Sequence, residues 1–155
     1  MLDPAKAAFA REMVTAAQSS EHIWPGYAAA EACLESAWGA SKLCLRARNV
    51  FGLKTPSTWE GATISIPTRE FLKGVWVDGV AAVWPVFDTY PQAFTERMAV
   101  LKRLEIYAEA LDAPTGEDFV TAVSKHWATD PDRGNKVLQI YHAHGDIFNV
   151  TAVEA

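Results

Sequence analysis

The sequence predicts an α+β domain in which a mainly helical body carries a small antiparallel β-hairpin lobe. Three observations point there. Apolar residues recur at helical spacing near the N-terminus, the texture from Trp59 to Phe87 turns to β-branched and aromatic residues broken by turn formers, and helical periodicity returns after Pro91. With 155 residues, half of them hydrophobic and 21% charged, the chain has the size and balance of one compact domain.

Asp3 before Pro4 opens the first helix, as an N-cap acceptor followed by a proline in the first turn, where a missing N–H does no harm. Phe9, Met13, Ala16 and Ala17 then form an apolar stripe to about residue 18. Pro25 opens a second helix with a largely buried interior, Tyr27 to Trp38, ended by Gly39. Ile64, Ile66, Val75 to Val77 and Val80 to Phe87, punctuated by Lys73-Gly74 and Asp78-Gly79, predict a sheet of two or three strands, Asp-Gly between apolar runs being among the stronger short hairpin signals.

After Pro91 an amphipathic helix places Phe94, Met98, Leu101, Leu104, Ala108 and Leu111 on one face. Glu96, Arg97, Lys102, Arg103 and Glu105 fall mostly off that face. Thr115 to Asp118 resembles a capping box for a helix running through Phe119, Val123 and Trp127. Asp130-Pro131 repeats the device at Asp3-Pro4, and Val137, Ile140, Tyr141 and His144 continue until Gly145. The predicted domain is 1–145, with 146–155 as a C-terminal tail.

A net charge of -5, pI near 5.3 and no basic run argue against nucleic acid as a partner. No stretch approaches the roughly 18 apolar residues of a membrane span. Met1 to Lys6 does not read as a secretory signal. Cys33 and Cys44 suggest buried free thiols, about 16 Å apart if both sat on one helix. The four histidines show neither metal spacing nor a nucleophile partner, so no metal and no cofactor is expected.

The chemistry concentrates at Glu31 to Ser41 and Asn49 to Lys54. Glu35 sits in the last turn of an apolar helix, where the negative end of the dipole and burial beside Trp38 would both favour a protonated carboxyl. Such a group suits protonation of a leaving glycosidic oxygen.

Glu35-Ser-Ala-Trp-Gly-Ala-Ser41 and Asn49-Val-Phe-Gly-Leu-Lys54 resemble the Glu-Ser-Gly-Trp-Gly-x-Ser and Asn-Leu-Phe-Gly-Ile-Lys signatures of the bacterial endo-β-N-acetylglucosaminidases, glycoside hydrolase family 73. Thr68-Arg-Glu-Phe71 is similar to the family's Thr-x-Glu-Tyr, the stretch from Trp84 to Ala93 to its Phe-Arg-x-Tyr-Asp-Ser, and Trp127-Ala-Thr-Asp-Pro131 to its Tyr-Ala-Thr-Asp-Pro. The matches run in order over roughly residues 25 to 145. They imply a lysozyme-like fold, a glycan cleft between helical body and β-lobe, and a hydrolase of autolysin or endolysin type acting on peptidoglycan in the cell wall, outside the cytoplasm, as a monomer.

By the same resemblance Glu35 is the general acid and Glu70 the second carboxylate, with Glu60 and Glu31 as rivals. Trp38, Asn49, Phe51, Gly52, Trp127 and Asp130 fall on substrate-binding positions. Trp127 and Phe87 stand where the family has tyrosine, so a hydroxyl is missing at Trp127. Two alternatives accompany this reading: a muramidase or lytic transglycosylase on the same fold, and a non-catalytic wall-binding module.

Overall fold

The computed structural model describes residues 1–150. Helix α1 (Pro4–Ser19) starts as expected, with the Asp3 carboxylate accepting from Lys6 N at 2.8 Å. Helix α2 (Pro25–Glu35) is lined by Ala28, Ala29, Ala30, Ala32 and Cys33, all fully buried. A helix apolar on every side belongs in the interior. Small side chains let α1, α6 (Gly116–Ser124), α7 (Arg133–Ala143) and α8 (Gly145–Phe148) all pack against it.

Helix α2 stops at Glu35, three residues before the expected Trp38. The chain reverses through Ala37, Trp38 and Gly39, all at positive φ, into a short α3 (Lys42–Ala47) capped by Ser41. That helix has no apolar period long enough to announce it. Cys33 and Cys44 are buried and unbridged.

The lobe consists of two antiparallel pairs, β1 (Thr63–Ser65) with β4 (Val83–Pro85) and β2 (Thr68–Leu72) with β3 (Val75–Val80). The hairpin turn is Lys73-Gly74, both at positive φ, and not Asp78-Gly79. Asp78 and Gly79 lie inside β3, where the register gains a residue between Val77 and Val80. Gly79 at φ 72° supplies the left-handed residue of that bulge.

Helix α4 (Tyr90–Arg103) is shorter than its periodicity suggests, since the chain breaks at Leu104, makes a 3-10 turn (Glu105–Tyr107) and resumes as α5 (Ala108–Leu111). Arg97, placed off the apolar face by its charge, is fully buried. Thr115 caps α6 (Gly116–Ser124) through Asp118 N at 3.1 Å, and Trp127 lies beyond that helix. Helix α7 (Arg133–Ala143) begins after a turn in which Asp130 accepts from Asp132 N, so Asp130 is not its N-cap.

Helix α8 (Gly145–Phe148) begins at the glycine expected to end the domain, and Ile147 and Phe148 are buried. Its carbonyl at Phe148 comes so close to α2 that a Cβ on Gly26 would stand 1.9 Å from it. The packed body therefore runs through residue 148. Residues 151–155 of the expected tail lie outside the described residues.

Candidate active site

A cleft of about 900 Å³ separates the helical body from the β-lobe. Its walls come from the end of α2, the loop after α3, the β2–β3 hairpin, the end of α4 and the loop between α6 and α7. Of the residues singled out from the sequence, Glu35, Phe51, Gly52, Glu70, Trp127 and Asp130 line it together. Trp38, Asn49 and Glu60 do not.

Asn49 is buried one turn behind the wall. Its amide donates to Leu53 O at 2.8 Å and its carbonyl accepts from Leu53 N at 3.0 Å, which closes the loop that presents Phe51 and Gly52. Trp38 packs elsewhere, edge-on to His144 with the Lys6 ammonium 5.9 Å from its ring centre. Phe87 is 1% exposed and packs on Trp59, a core role. Trp84 is buried in the cleft wall, and its indole donates to Ile66 O at 2.8 Å.

Glu35 ends α2 with its side chain 20% exposed to the cleft. Arg133 Nε donates to its Oε1 at 2.6 Å. Trp38, expected to bury this carboxyl, packs elsewhere, and in its place the sequence-distant guanidinium of Arg133 is in direct contact.

Arg133 also donates through Nη2 to Glu31 Oε2 at 2.7 Å and through Nη1 to Ser124 Oγ at 2.8 Å. Arg97 Nη2 reaches the same Glu31 oxygen at 2.7 Å. Glu31 is fully buried, and burial alone would raise its carboxyl; Arg97 and Arg133 overcome this and hold it below the usual carboxylate range. Glu31 is thus the anchor of a buried ion cluster and does not line the cleft.

The Arg97 guanidinium lies 4.5 Å from the ring centre of Phe51 and 4.3 Å from that of Trp127. Trp127 Nε1 donates to Phe51 O at 2.8 Å. The indole N–H holds the backbone beside Gly52 while the ring face covers the buried arginine.

Glu70 on β2 has both oxygens engaged. Lys54 Nζ is 3.1 Å from Oε1, and Thr129 Oγ1 donates to Oε2 at 2.7 Å while accepting from Phe71 N at 2.8 Å. Asp130 pairs with Lys136 at 2.6 Å; burial opposes, but that partner holds the Asp130 carboxyl below its ordinary range.

Among the described residues the cleft is lined by three carboxylates, each paired with a cation, by Arg69, which pairs with Asp78 at 3.3 Å, and by two further cations, Lys42 and Arg103. The chain as a whole carries -5, so the cleft is positive in an acidic protein. No group of three or more His, Cys, Asp or Glu side chains able to hold a metal ion occurs among the described residues. No helix there is long and apolar enough to cross a membrane.

Arg97 and Arg133 escaped the sequence reading, yet a signal existed. Arg97 is spaced by three from Phe94 and four from Leu101, and Arg133 by four from Val137 and eight from Tyr141, which puts both on the buried faces.

A family profile described as mannosyl-glycoprotein endo-beta-N-acetylglucosaminidase matches residues 11–146. The chain is 34% identical over 120 residues to peptidoglycan hydrolase FlgJ of Pseudomonas aeruginosa, covering 74% of this chain and 30% of that protein. It is 33% identical over 133 residues to a probable N-acetylmuramidase of Lactococcus lactis subsp. cremoris, covering 77% and 29%. It thus spans about three tenths of the length of these relatives. The glycoside hydrolase domain of FlgJ from Salmonella typhimurium superposes with a TM-score of 0.70 at 27% identity, over 91% of this chain and 98% of that one.

Proposed function

Because the chain belongs to the glucosaminidase family, we propose that it is a peptidoglycan hydrolase that cleaves the β-1,4 bond after N-acetylglucosamine, with Glu35 protonating the departing oxygen. The observation that carries this is the meeting of Glu35, from the helical body, and Glu70, from the β-lobe, in one cleft wide enough for a glycan. Two carboxylates contributed by two different lobes suit a bond that must be approached from two sides. Glu70, held at both oxygens, suits a fixed negative charge beside the oxocarbenium-like sugar better than a free nucleophile. Trp76, which is exposed, and the partly buried Trp127 offer aromatic surface along the cleft for sugar faces. The site of action is the cell wall.

Clearing of purified cell walls by the wild type, and its loss in Glu35→Gln by about 10²–10⁴-fold with an unchanged fold, tests the assignment. Glu70→Gln should also lower turnover at least tenfold, whereas exposed Glu60→Gln should not. Reducing N-acetylglucosamine ends among the products support the proposed bond, and muramic acid or anhydro-muramic ends would replace it with a muramidase or transglycosylase. A wild type that binds walls without clearing them would make the chain a binding module.

A further inference from the structure

Building on the assignment of Glu35 as the acid, we propose that Arg133 is its positioning residue, holding Oε1 so that the acid proton is carried on Oε2. A glutamate at the end of a helix, one-fifth exposed, has three side-chain torsions to lose before it can aim a proton. Arg133 supplies the restraint. It is 1% exposed, and its guanidinium plane is fixed by Glu31 and Glu35 on α2 and by Ser124 on α6, at 2.6 to 2.8 Å. Arg97 and Arg133 share Glu31 Oε2, so Arg133 also has charge to offer Glu35.

An arginine only donates hydrogen bonds, so the carboxyl oxygen facing it must accept. A protonated carboxyl has one O–H, and that hydrogen then lies on the other oxygen. Among the described residues Oε2 has no hydrogen-bond partner, and it faces Gly52 on the cleft wall, where even a Cβ would stand 3.7 Å away. In the reaction the Oε2–H bond breaks as its proton passes to the glycosidic oxygen. The bond from that oxygen to the anomeric carbon breaks, and its electron pair stays on the departing oxygen. Glu35 is left as a carboxylate against Arg133. Within the bound complex whose Glu35 carries the acid proton, the arginine favours the transition state, in which that charge develops, and its loss should appear in kcat and not in KM.

Steady-state kinetics on solubilised peptidoglycan fragments test this with Arg133→Gln, Ser124→Ala and Glu35→Gln, each checked for folding by circular dichroism. A folded Arg133→Gln protein should lose at least tenfold in kcat with KM within twofold. Ser124→Ala removes one of the three anchors and should lose about threefold in kcat, again at constant KM. Wild-type kcat in folded Arg133→Gln, or a loss confined to KM, overturns the proposal. If Arg133→Gln does not fold, the Ser124→Ala result decides by the same criterion. An active Glu35→Gln protein would remove Glu35 as the acid; an inactive one beside a fully active Arg133→Gln protein would remove only the positioning role.

Discussion

Replacing Glu31 by glutamine keeps the shape of the side chain and deletes its charge. Glu31 and Arg97 are both fully buried, and the Glu31 carboxylate is the only one within salt-bridge distance of Arg97 among the described residues. Arg133 would keep Glu35, but Arg97 would be left as an unpaired buried cation beside Phe51 and Trp127. Breaking a buried pair from one side costs about 3–5 kcal/mol, and the amide oxygen still accepts one hydrogen bond, which places the expected loss near the lower end, about 3 kcal/mol. In a domain of this size that corresponds to a fall in Tm of roughly 6–12 °C.

Melting curves followed by circular dichroism at pH 7 measure it, with urea unfolding as the isothermal check. The pH dependence gives a second reading. Glu31 is held below its usual 4.5, so its pairing contributes fully above that pH and is lost as the pH falls below it. The gap between wild type and Glu31→Gln should therefore narrow on acidification. A variant melting within 2 °C of wild type at pH 7 would refute the view of Glu31 as the anchor of the core charge cluster.

His22 should make the fold sensitive to acid. Burial first, and Arg97 next, hold its imidazole at about 3 against a usual 6.5, so the unfolded chain takes up the proton first and stability drains away between those two values. About 2 kcal/mol should be lost between pH 7 and 5, and His22→Gln should flatten that part of the curve; parallel urea midpoints would contradict it. Trp127→Phe, which keeps a ring and deletes the N–H bound to Phe51 O, should cost about 1 kcal/mol and lower kcat, and Trp127→Tyr should not restore it. Wild-type kinetics in Trp127→Phe would dismiss the N–H. The positive cleft should make KM for acid-bearing wall fragments rise several-fold between 0.05 and 0.5 M salt, as the screening length contracts, while KM for uncharged chito-oligosaccharides stays constant.

The α+β order and the caps at Asp3 and Thr115 were legible because helical period and cap chemistry are local properties, whereas the pairing of Glu35 with Glu70 across the cleft followed from the family resemblance alone. The buried arginines were obscured by a rule that is right for most charges, since Lys and Arg usually lie outside the core. Arg97 and Arg133 break it only because Glu31, also inside, waits for them, a pairing across 66 and 102 residues that no window in the chain contains. Trp38 failed to line the cleft for a different reason. The helix stops at Glu35, and the reversal that follows turns the motif tryptophan away from the carboxylate beside it in sequence.

The β2–β3 hairpin is a two-stranded ribbon with Leu72, Val75, Trp76 and Val77 exposed, and such ribbons are marginal in water on their own. Its ties to the helical body at Glu70 and Phe71 pass through two side chains, Thr129 and the partly exposed Lys54. The molecule should therefore open from this end first. In native-state hydrogen exchange the amides of Thr68–Val80 should exchange through local fluctuations while those of α2 wait for global unfolding, so that the half of the site carrying Glu70 has its own, smaller stability.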